Sequence, residues 1–486
     1  MSNATLALRG ATTATIHHLA SKRMVGAVLF ALLAYWLWQA SANEPFALRS
    51  SVLIMLGAIA LWAMRHVDEL WVGLCACLAL LATGSAAPSA LQTALGSDLI
   101  WLMLGAFMLA GALQRSGTAQ AACLRLLGRR PRFGTLVIRL QLAVAASAFL
   151  IPSTSARAAL FLPVFIAFLP ALKPLGQRAI RIVALLIPTQ ILLTAGISIT
   201  GAGAHLVAAQ FMQTHAGYKV DALSWTLLAL PVVAMTSLSA SVVVLIAFRG
   251  LALWNLPIGA PQSDAQQPAP LTLPQKRVGL IALGVAAGWM LSPALDVPAW
   301  AIGLLGAVLA GTPRISGLDL DDLVRSVDWS LILFFAATVM IGETLGASGA
   351  AQWIARHTAA LGAIDQLGTV GLLALVTMVS LLAHLWIPSR TARVIVLLPS
   401  TVLPLASGHH DLAVLTLVCV QASGFCQTFS ASAKPMAVFC RQTLEGAAVI
   451  SSHDLLRAAW PIGLAMAVAV MLSALFWWPR MVGISF

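Results

Sequence analysis

Charge is what this sequence has least of. Of its 486 residues only 9% are Asp, Glu, Lys or Arg, while 60% are hydrophobic. A soluble domain carries about a quarter of charged residues, so a water-soluble enzyme or binding protein of this length is excluded. Acids are the scarcer sign, 16 against 28 bases, for a net charge of +12. In a soluble protein that excess would point to nucleic acid. Here it points to basic loops on the cytoplasmic side of a membrane, and no nucleic-acid partner is expected. Polar low-complexity sequence is almost absent, the exception being 250–276 with its run Gln262-Ser263-Asp264-Ala265-Gln266-Gln267-Pro268. Six cysteines (75, 77, 123, 419, 426, 440) lie in or beside apolar segments. None forms the paired CxxC spacing of a metal site, and buried free thiols are the reading. A cleavable signal peptide is also missing. The first apolar segment, 24–40, is long enough to stay in the membrane and follows Arg9, Lys22 and Arg23.

What is present is apolar sequence in long runs. They fall near 24–40, 48–64, 69–84, 98–114, 178–213, 223–248, 277–292, 298–311, 328–346, 411–447 and 455–478, with interruptions in 178–213 and 411–447. None alternates with the period of a barrel strand, so helices are predicted. The rest of the apolar sequence lies in 133–171 and 368–405, where one motif occurs twice. Ile151-Pro152-Ser153-Thr154-Ser155-Ala156-Arg157 returns as Ile387-Pro388-Ser389-Arg390-Thr391-Ala392-Arg393. Leu162-Pro163 returns as Leu398-Pro399 at the same offset. The chain therefore contains two related halves. An arginine at bilayer depth costs about 2.5–3.5 kcal/mol on insertion scales, so it faces a cavity or a partner. Two polar islands at matching places of two halves are the sequence mark of a carrier's binding site.

From Ala158 to Pro170 the apolar segment is short, about 20 Å at ~1.5 Å per residue against a hydrocarbon core of about 30 Å. The spacing predicts a re-entrant hairpin around each tip. The loops flanking the first carry Arg129, Arg130, Arg132, Lys173, Arg178 and Arg181, so it enters from the cytoplasm. Those flanking the second are poor in Lys and Arg, so it enters from the opposite side and the repeats are inverted. With the N-terminus inside, Arg49, Lys219, Arg356 and Arg480 fall outside and Arg157, Arg390, Arg393 and Lys434 lie at membrane depth. Every other Lys and Arg is cytoplasmic, and the C-terminus is outside. Amphipathic stretches near 117–129 and 350–361 read as interfacial helices, one per half. The expected fold is an all-α polytopic membrane protein of about eleven transmembrane helices plus two re-entrant hairpins.

These residues resemble those of the divalent anion/sodium symporter family, carriers of dicarboxylates, citrate or sulfate within the ion transporter superfamily. That family's tips read Ser-Asn-Thr, then Ala and a Leu-Pro pair. Here Ser153-Thr154-Ser155 and Ser389-Arg390-Thr391 stand in those places. Asp98 through Gly117 and Asp328 through Gly349 resemble its fourth helix and the second-half counterpart. The resemblance implies a homodimer in the cell's inner (plasma) membrane, working as an elevator. Its scaffold would comprise 24–132 and 277–361, and its transport domain 133–250 (tip 152–157) and 362–486 (tip 388–393), joined by a cytoplasmic linker 251–276. It also implies that each tip faces the unwound middle of a broken helix. Gly196–His205 and Ser423–Pro435 supply such breaks.

The expected substrate-binding residues are Ser153, Thr154, Ser155, Arg157, Ser389, Arg390, Thr391, Arg393, Ser432, Lys434, Gly201 and His205. The tip hydroxyls read equally as helix caps, and Arg157 and Arg393 equally as turn-stabilising groups. In the family the tip Asn helps to bind sodium, and here that Asn is Thr154 or Arg390. The second sodium site is expected to be absent, and a residual one would lie near Ser153, Thr154 and Gly201. No other cofactor or metal is expected, since His17-His18 and His409-His410 are loop pairs without company. No carboxylate is expected beside either tip. Glu343 is an intramembrane acid best explained by an ion pair, and His384 a structural residue. The implied activity is secondary transport of small di- or tricarboxylates, by exchange or with protons. Carriage of sulfate or another oxyanion, an anion channel and a membrane hydrolase are the other readings. The hydrolase is disfavoured because no Asp or His is spaced to serve Ser153 or Ser389 as a base.

Overall fold

The computed structural model describes residues 28, 30–62, 67–128, 131–259, 270–359, 367–406, 412–444 and 447–482. The first half begins with α1 (30–40). There follow α2 (Phe46–Trp62), α3 (Glu69–Ala82), α4 (Ala90–Leu95), α5 (Asp98–Arg115), α6 (Thr118–Leu127), α7 (Phe133–Leu150), α8 (Thr154–Leu172), α9 (Gln177–Thr194), α10 (Gly203–Ala216) and α11 (Ala222–Ala247). The second half runs α12 (Leu273–Leu295), α13 (Ala299–Ala310), α14 (Pro313–Ser316), α15 (Leu320–Arg325), α16 (Trp329–Ala347), α17 (Ala350–Ala359), α18 (Gly368–Leu382) and α19 (Arg390–Leu397). It ends with α20 (Leu403–Leu405), α21 (Leu412–Ala422), α22 (Lys434–Cys440), α23 (Ser452–Leu472) and α24 (Trp478–Val482). A two-residue strand pair, β1 (Thr443–Leu444) and β2 (Ala447–Ala448), is the exception to a nearly all-helical chain.

Among the described residues nine helical stretches are long and apolar enough to cross a bilayer, and four more apolar helices are shorter. The protein is an integral membrane protein. Sequence and structure agree closely on the helices, for example 98–114 against Asp98–Arg115 and 328–346 against Trp329–Ala347. The amphipathic stretches are α6 and α17. Of the expected linker, 260–269 lies outside the described residues, as do Arg129, Arg130, His17, His18, His409 and His410.

The most enclosed span is the one containing α9, 89% of whose apolar window is buried, whereas that of α12 is only 28% buried. So α9 sits at the centre and α12 presents its flank to lipid. A buried amide–hydroxyl network ties α9 to its neighbours. Gln190 Nε2 donates to Ser241 Oγ at 2.9 Å and Ser237 Oγ to Gln190 Oε1 at 2.6 Å. Gln141 on α7 joins through Ser237 Oγ at 2.9 Å and Ser241 Oγ at 3.0 Å. Each polar group finds a partner, which burial away from water requires. Elsewhere α5 and α13 cross closely because Gly105 meets Gly303, where a Cβ on Gly105 would stand 2.7 Å from the Gly303 carbonyl carbon.

The two tips share local geometry. Ser153 Oγ accepts from Ala156 N and Ser389 Oγ from Ala392 N, both at 3.3 Å. Each serine is thus the N-cap of the helix that leaves its tip. The breaks match as well. Ala202 before α10 has φ −157° and ψ 149°, and Ala433 before α22 has φ −156° and ψ 147°.

The limbs leaving the tips differ from the expectation. The helix beyond the first tip, α8, is 19 residues long rather than the 13 of Ala158–Pro170, with Pro163 and Pro170 inside it. Proline removes one backbone donor, and within a membrane bundle neighbouring groups accommodate that loss. The matching Leu398-Pro399 instead opens a π turn, Leu398–Val402, after an eight-residue α19.

Candidate functional site

The second tip is where unspent polar groups collect. Arg390 is the first residue of α19, and its Nη2 donates to Val420 O at 3.1 Å at the end of α21. Its Nε and Nη1 are buried and have no hydrogen-bond partner among the described residues. Glycine at 424 makes this possible, since a Cβ there would lie 2.9 Å from Arg390 Nη2. The broken stretch after α21 adds Gln421 and Gln427, whose Nε2 atoms are likewise buried without partners. Gln427 Oε1 is occupied, accepting from Cys426 N at 3.1 Å.

The first-half break meets the same tip. A Cβ on Gly203 would touch Thr391 Oγ1 at 3.2 Å, and one on Gly196 would touch Gln421 Oε1 at 2.7 Å. His205, fully buried on α10, lies within electrostatic reach of Arg390. Its Nδ1 is 2.9 Å from Ser198 O. A carbonyl only accepts, so Nδ1 carries the proton and Nε2, buried and unpartnered, holds a lone pair in the neutral ring. The ring lies against Trp225 at 5.2 Å, and Trp225 Nε1 donates to Gly196 O at 3.0 Å in the break. Ser198 Oγ and Thr200 Oγ1 pair with each other at 3.0 Å. Gly201 closes its turn so tightly that a Cβ would overlap Ala195 O.

The three arginines of the tips divide their work unevenly. Arg157 spends every nitrogen on protein acceptors: Nε on Ser147 Oγ at 2.9 Å, Nη1 on Ile191 O at 2.9 Å, and Nη2 on Thr194 Oγ1 at 2.7 Å and Val144 O. Arg393 is intermediate. Its Nη1 closes the tip on Ile387 O at 3.0 Å and its Nη2 reaches Ser423 O at 2.8 Å in the break, while Nε makes no hydrogen bond among the described residues. Only Arg390 keeps most of its donors unspent.

The remaining expected residues lie at the first tip and in the second break. Thr154 and Ser155 are half-buried in the first turn of α8. Ser432 Oγ accepts from Phe429 N at 3.1 Å, and Lys434 opens α22 with its side chain exposed. His384 is held by Thr428 Oγ1 at 2.8 Å and packs edge-on against Phe425, as a structural histidine should.

Two expectations about acids are corrected. A carboxylate does stand at a tip: Glu69 Oε2, from the first turn of α3, accepts from Ser389 Oγ at 2.8 Å. Sequence reasoning had no means to find it, because 320 residues separate the pair and Glu69 reads as an ordinary first-turn acid. Glu343 has no ion-pair partner among the described residues. It lines, with His215, a cavity of about 620 Å³ bounded by α10, α16, α17 and α20. Another cavity of about 640 Å³ reaches Thr200 from the ends of α5 and α12, past Asp98, Lys219, Asp221 and Asp296.

Broken helices facing tight polar tips inside a helical bundle define a membrane transporter rather than an enzyme. The comparisons agree. Residues 59–424 match the family model described as citrate transporter, CitMHS. The chain belongs to the citrate transporter family, within the ion transporter superfamily. A membrane protein of Cupriavidus necator is 23% identical over 389 residues, covering 78% of this chain and 72% of its own. An uncharacterized transporter of Mycobacterium tuberculosis is 34% identical over 98 residues, 20% of this chain and 22% of that one. In fold the chain is similar to the YdaH transporter of Alcanivorax borkumensis, with TM-score 0.55 and 16% identity over 81% of this chain and 88% of that one. It is also similar to MtrF of Neisseria gonorrhoeae, described with a class of antimetabolite efflux pumps, with TM-score 0.53 and 12% identity over 89% and 95%.

Proposed function

We propose that the protein is a secondary active carrier of small di- or tricarboxylates, held chiefly by Arg390 and working by exchange or with protons rather than sodium. The observation that carries this reading is the pair of buried, unpartnered Arg390 donors, Nε and Nη1. A buried cation left unpaired is costly, and because Nε and Nη1 lie on different edges of the guanidinium, separate carboxylate oxygens of a di- or tricarboxylate are their natural complement. Gln421 and Gln427 donate from one side, while His205 Nε2 accepts from a hydroxyl or a carboxylic acid on the cargo. Thr391, Arg393, Lys434 and Ser432 complete the surroundings at the second tip. Ser153, Thr154, Ser155 and Gly201 belong to the first tip and break, with Arg157 as their brace.

The carrier is a homodimer in the plasma membrane in which 133–250 and 362–486 move against 24–132 and 277–361. Its halves are inverted, with the N-terminus cytoplasmic and the C-terminus outside. A cysteine at Asp296 is then expected to be labelled only from outside and one at Arg314 only from the cytoplasm. Labelling of both from one side contradicts the inverted repeat.

Sodium has little reason to bind at the second tip. A cation about 4 Å from a fixed charge costs about 4 kcal/mol at an effective dielectric constant near 20. Glu69 offsets part of this, but Arg390, Arg393 and Lys434 outnumber it. Counterflow in proteoliposomes, with citrate, succinate and sulfate and with choline in place of sodium, tests the reading. Exchange of a carboxylate at an unchanged rate is expected. A steep, cooperative sodium dependence would show that the cation sites survive.

A further inference from the structure

Glu69 is not needed for the local structure around it. The cap of α3 is made by Asp68, whose side chain accepts from Trp71 N at 3.0 Å. Trp62 Nε1 fixes the same turn through Glu69 O at 3.2 Å. The Glu69 carboxylate is free to point elsewhere, and it points at the second tip. Ser389 has one hydroxyl proton, and it is spent on Glu69 Oε2 at 2.8 Å while the same oxygen caps Ala392 N. The charged groups acting on this carboxylate are Lys434 at the start of α22, Arg393 in the tip and Asp68 on its own turn. The tip's serine thus already serves an anion that belongs to the protein, and two of its cations lie within electrostatic reach of that anion.

We propose that Glu69 is a tethered competitor of the carried anion, and that one proton is taken up by its carboxylate as the anion binds. This rests on the anion-carrier reading above and concerns the state in which the second tip stands beside α3. With Glu69 ionised, its charge repels an incoming carboxylate or sulfate, holds Ser389 and attracts Lys434 and Arg393. A proton from the aqueous side converts the carboxylate to a carboxylic acid. The tip then carries its full positive charge, and the serine proton can turn to the cargo. When the anion leaves on that side, Glu69 releases the proton and takes back Ser389. No electron moves and no covalent bond to the cargo forms.

The test uses the full-length purified protein. Citrate and sulfate binding are measured by titration calorimetry between about pH 5 and 8, in buffers of different ionisation heat so that proton uptake is counted directly. Sulfate stays a dianion across this window, so its pH dependence reports on the protein alone. For the unsubstituted protein, affinity rises as pH falls, by up to about tenfold per pH unit for one linked proton, with net uptake on binding. Glu69→Gln binds at high pH as tightly as the unsubstituted protein does at low pH, with a flat profile and no uptake. Glu69→Asp restores the dependence. A Glu69→Gln protein that keeps the original pH profile overturns the assignment. So does anion binding without proton uptake by the unsubstituted protein, a result that needs no variant to fold. Failure of the unsubstituted protein to bind either anion would instead remove the anion-carrier reading, and this assignment with it.

Discussion

Arg390→Ala is expected to abolish measurable anion exchange while leaving a folded protein. Within the protein Arg390 makes a single hydrogen bond, to Val420 O. Its loss leaves only that carbonyl unpaired, and removes a buried charge with unpartnered donors. Truncating one member of a buried, hydrogen-bonded charge pair costs roughly 2–5 kcal/mol of binding. At about 1.4 kcal/mol per tenfold, affinity falls by one and a half to more than three orders of magnitude. Arg390→Lys keeps the charge without the fork and should recover only part of it. Gel filtration and thermal melting should match the parent protein. A variant with normal exchange would mean that the anion binds elsewhere.

Arg157→Ala should fail in the opposite way. Its guanidinium joins α8 to α7 through Ser147 and Val144, and to α9 through Ile191 and Thr194. Truncation removes the link between these three helices and opens a cavity, at about 2–5 kcal/mol for a large buried side chain, although Ser147 Oγ still donates to Val144 O and Thr194 Oγ1 to Gln190 O. That is a large part of the about 5–15 kcal/mol by which domains are stable. The expected result is little or no monodisperse protein, with Arg157→Lys scarcely better. A well-folded Arg157→Ala protein whose anion affinity alone is reduced would return Arg157 to the binding site.

The contrast between these arginines marks the limit of what the sequence discloses. The motif repeat, the capping serines 153 and 389, and the breaks at 196–205 and 423–435 are local features, so residue type and spacing carry them. The division of labour is not local. Arg157 and Arg393 occupy equivalent positions, yet one donates from every nitrogen while the other's Nε makes no hydrogen bond among the described residues. The partners are set by the neighbouring elements: α7 and α9 offer Arg157 the Ser147 and Thr194 hydroxyls, and the second break offers Arg393 the Ser423 carbonyl. The same reason hid Glu69, whose contact with Ser389 depends on how α3 packs beside the tip. The 13-residue estimate for the first limb failed for a different cause. It ran the limb only from Ala158 to Pro170, and the surrounding helices hold α8 intact from Thr154 to Leu172, across both Pro163 and Pro170.

The most direct measurement is a structure of the protein with its transported anion bound, solved in sodium-free buffer. The account predicts separate anion oxygens within hydrogen-bond distance of Arg390 Nε and of Nη1, flanked by Gln421, Gln427 and His205, with Glu69 withdrawn from Ser389. An anion seated at Ser153–Ser155, with Arg390 still unpartnered and Glu69 still on Ser389, would contradict it.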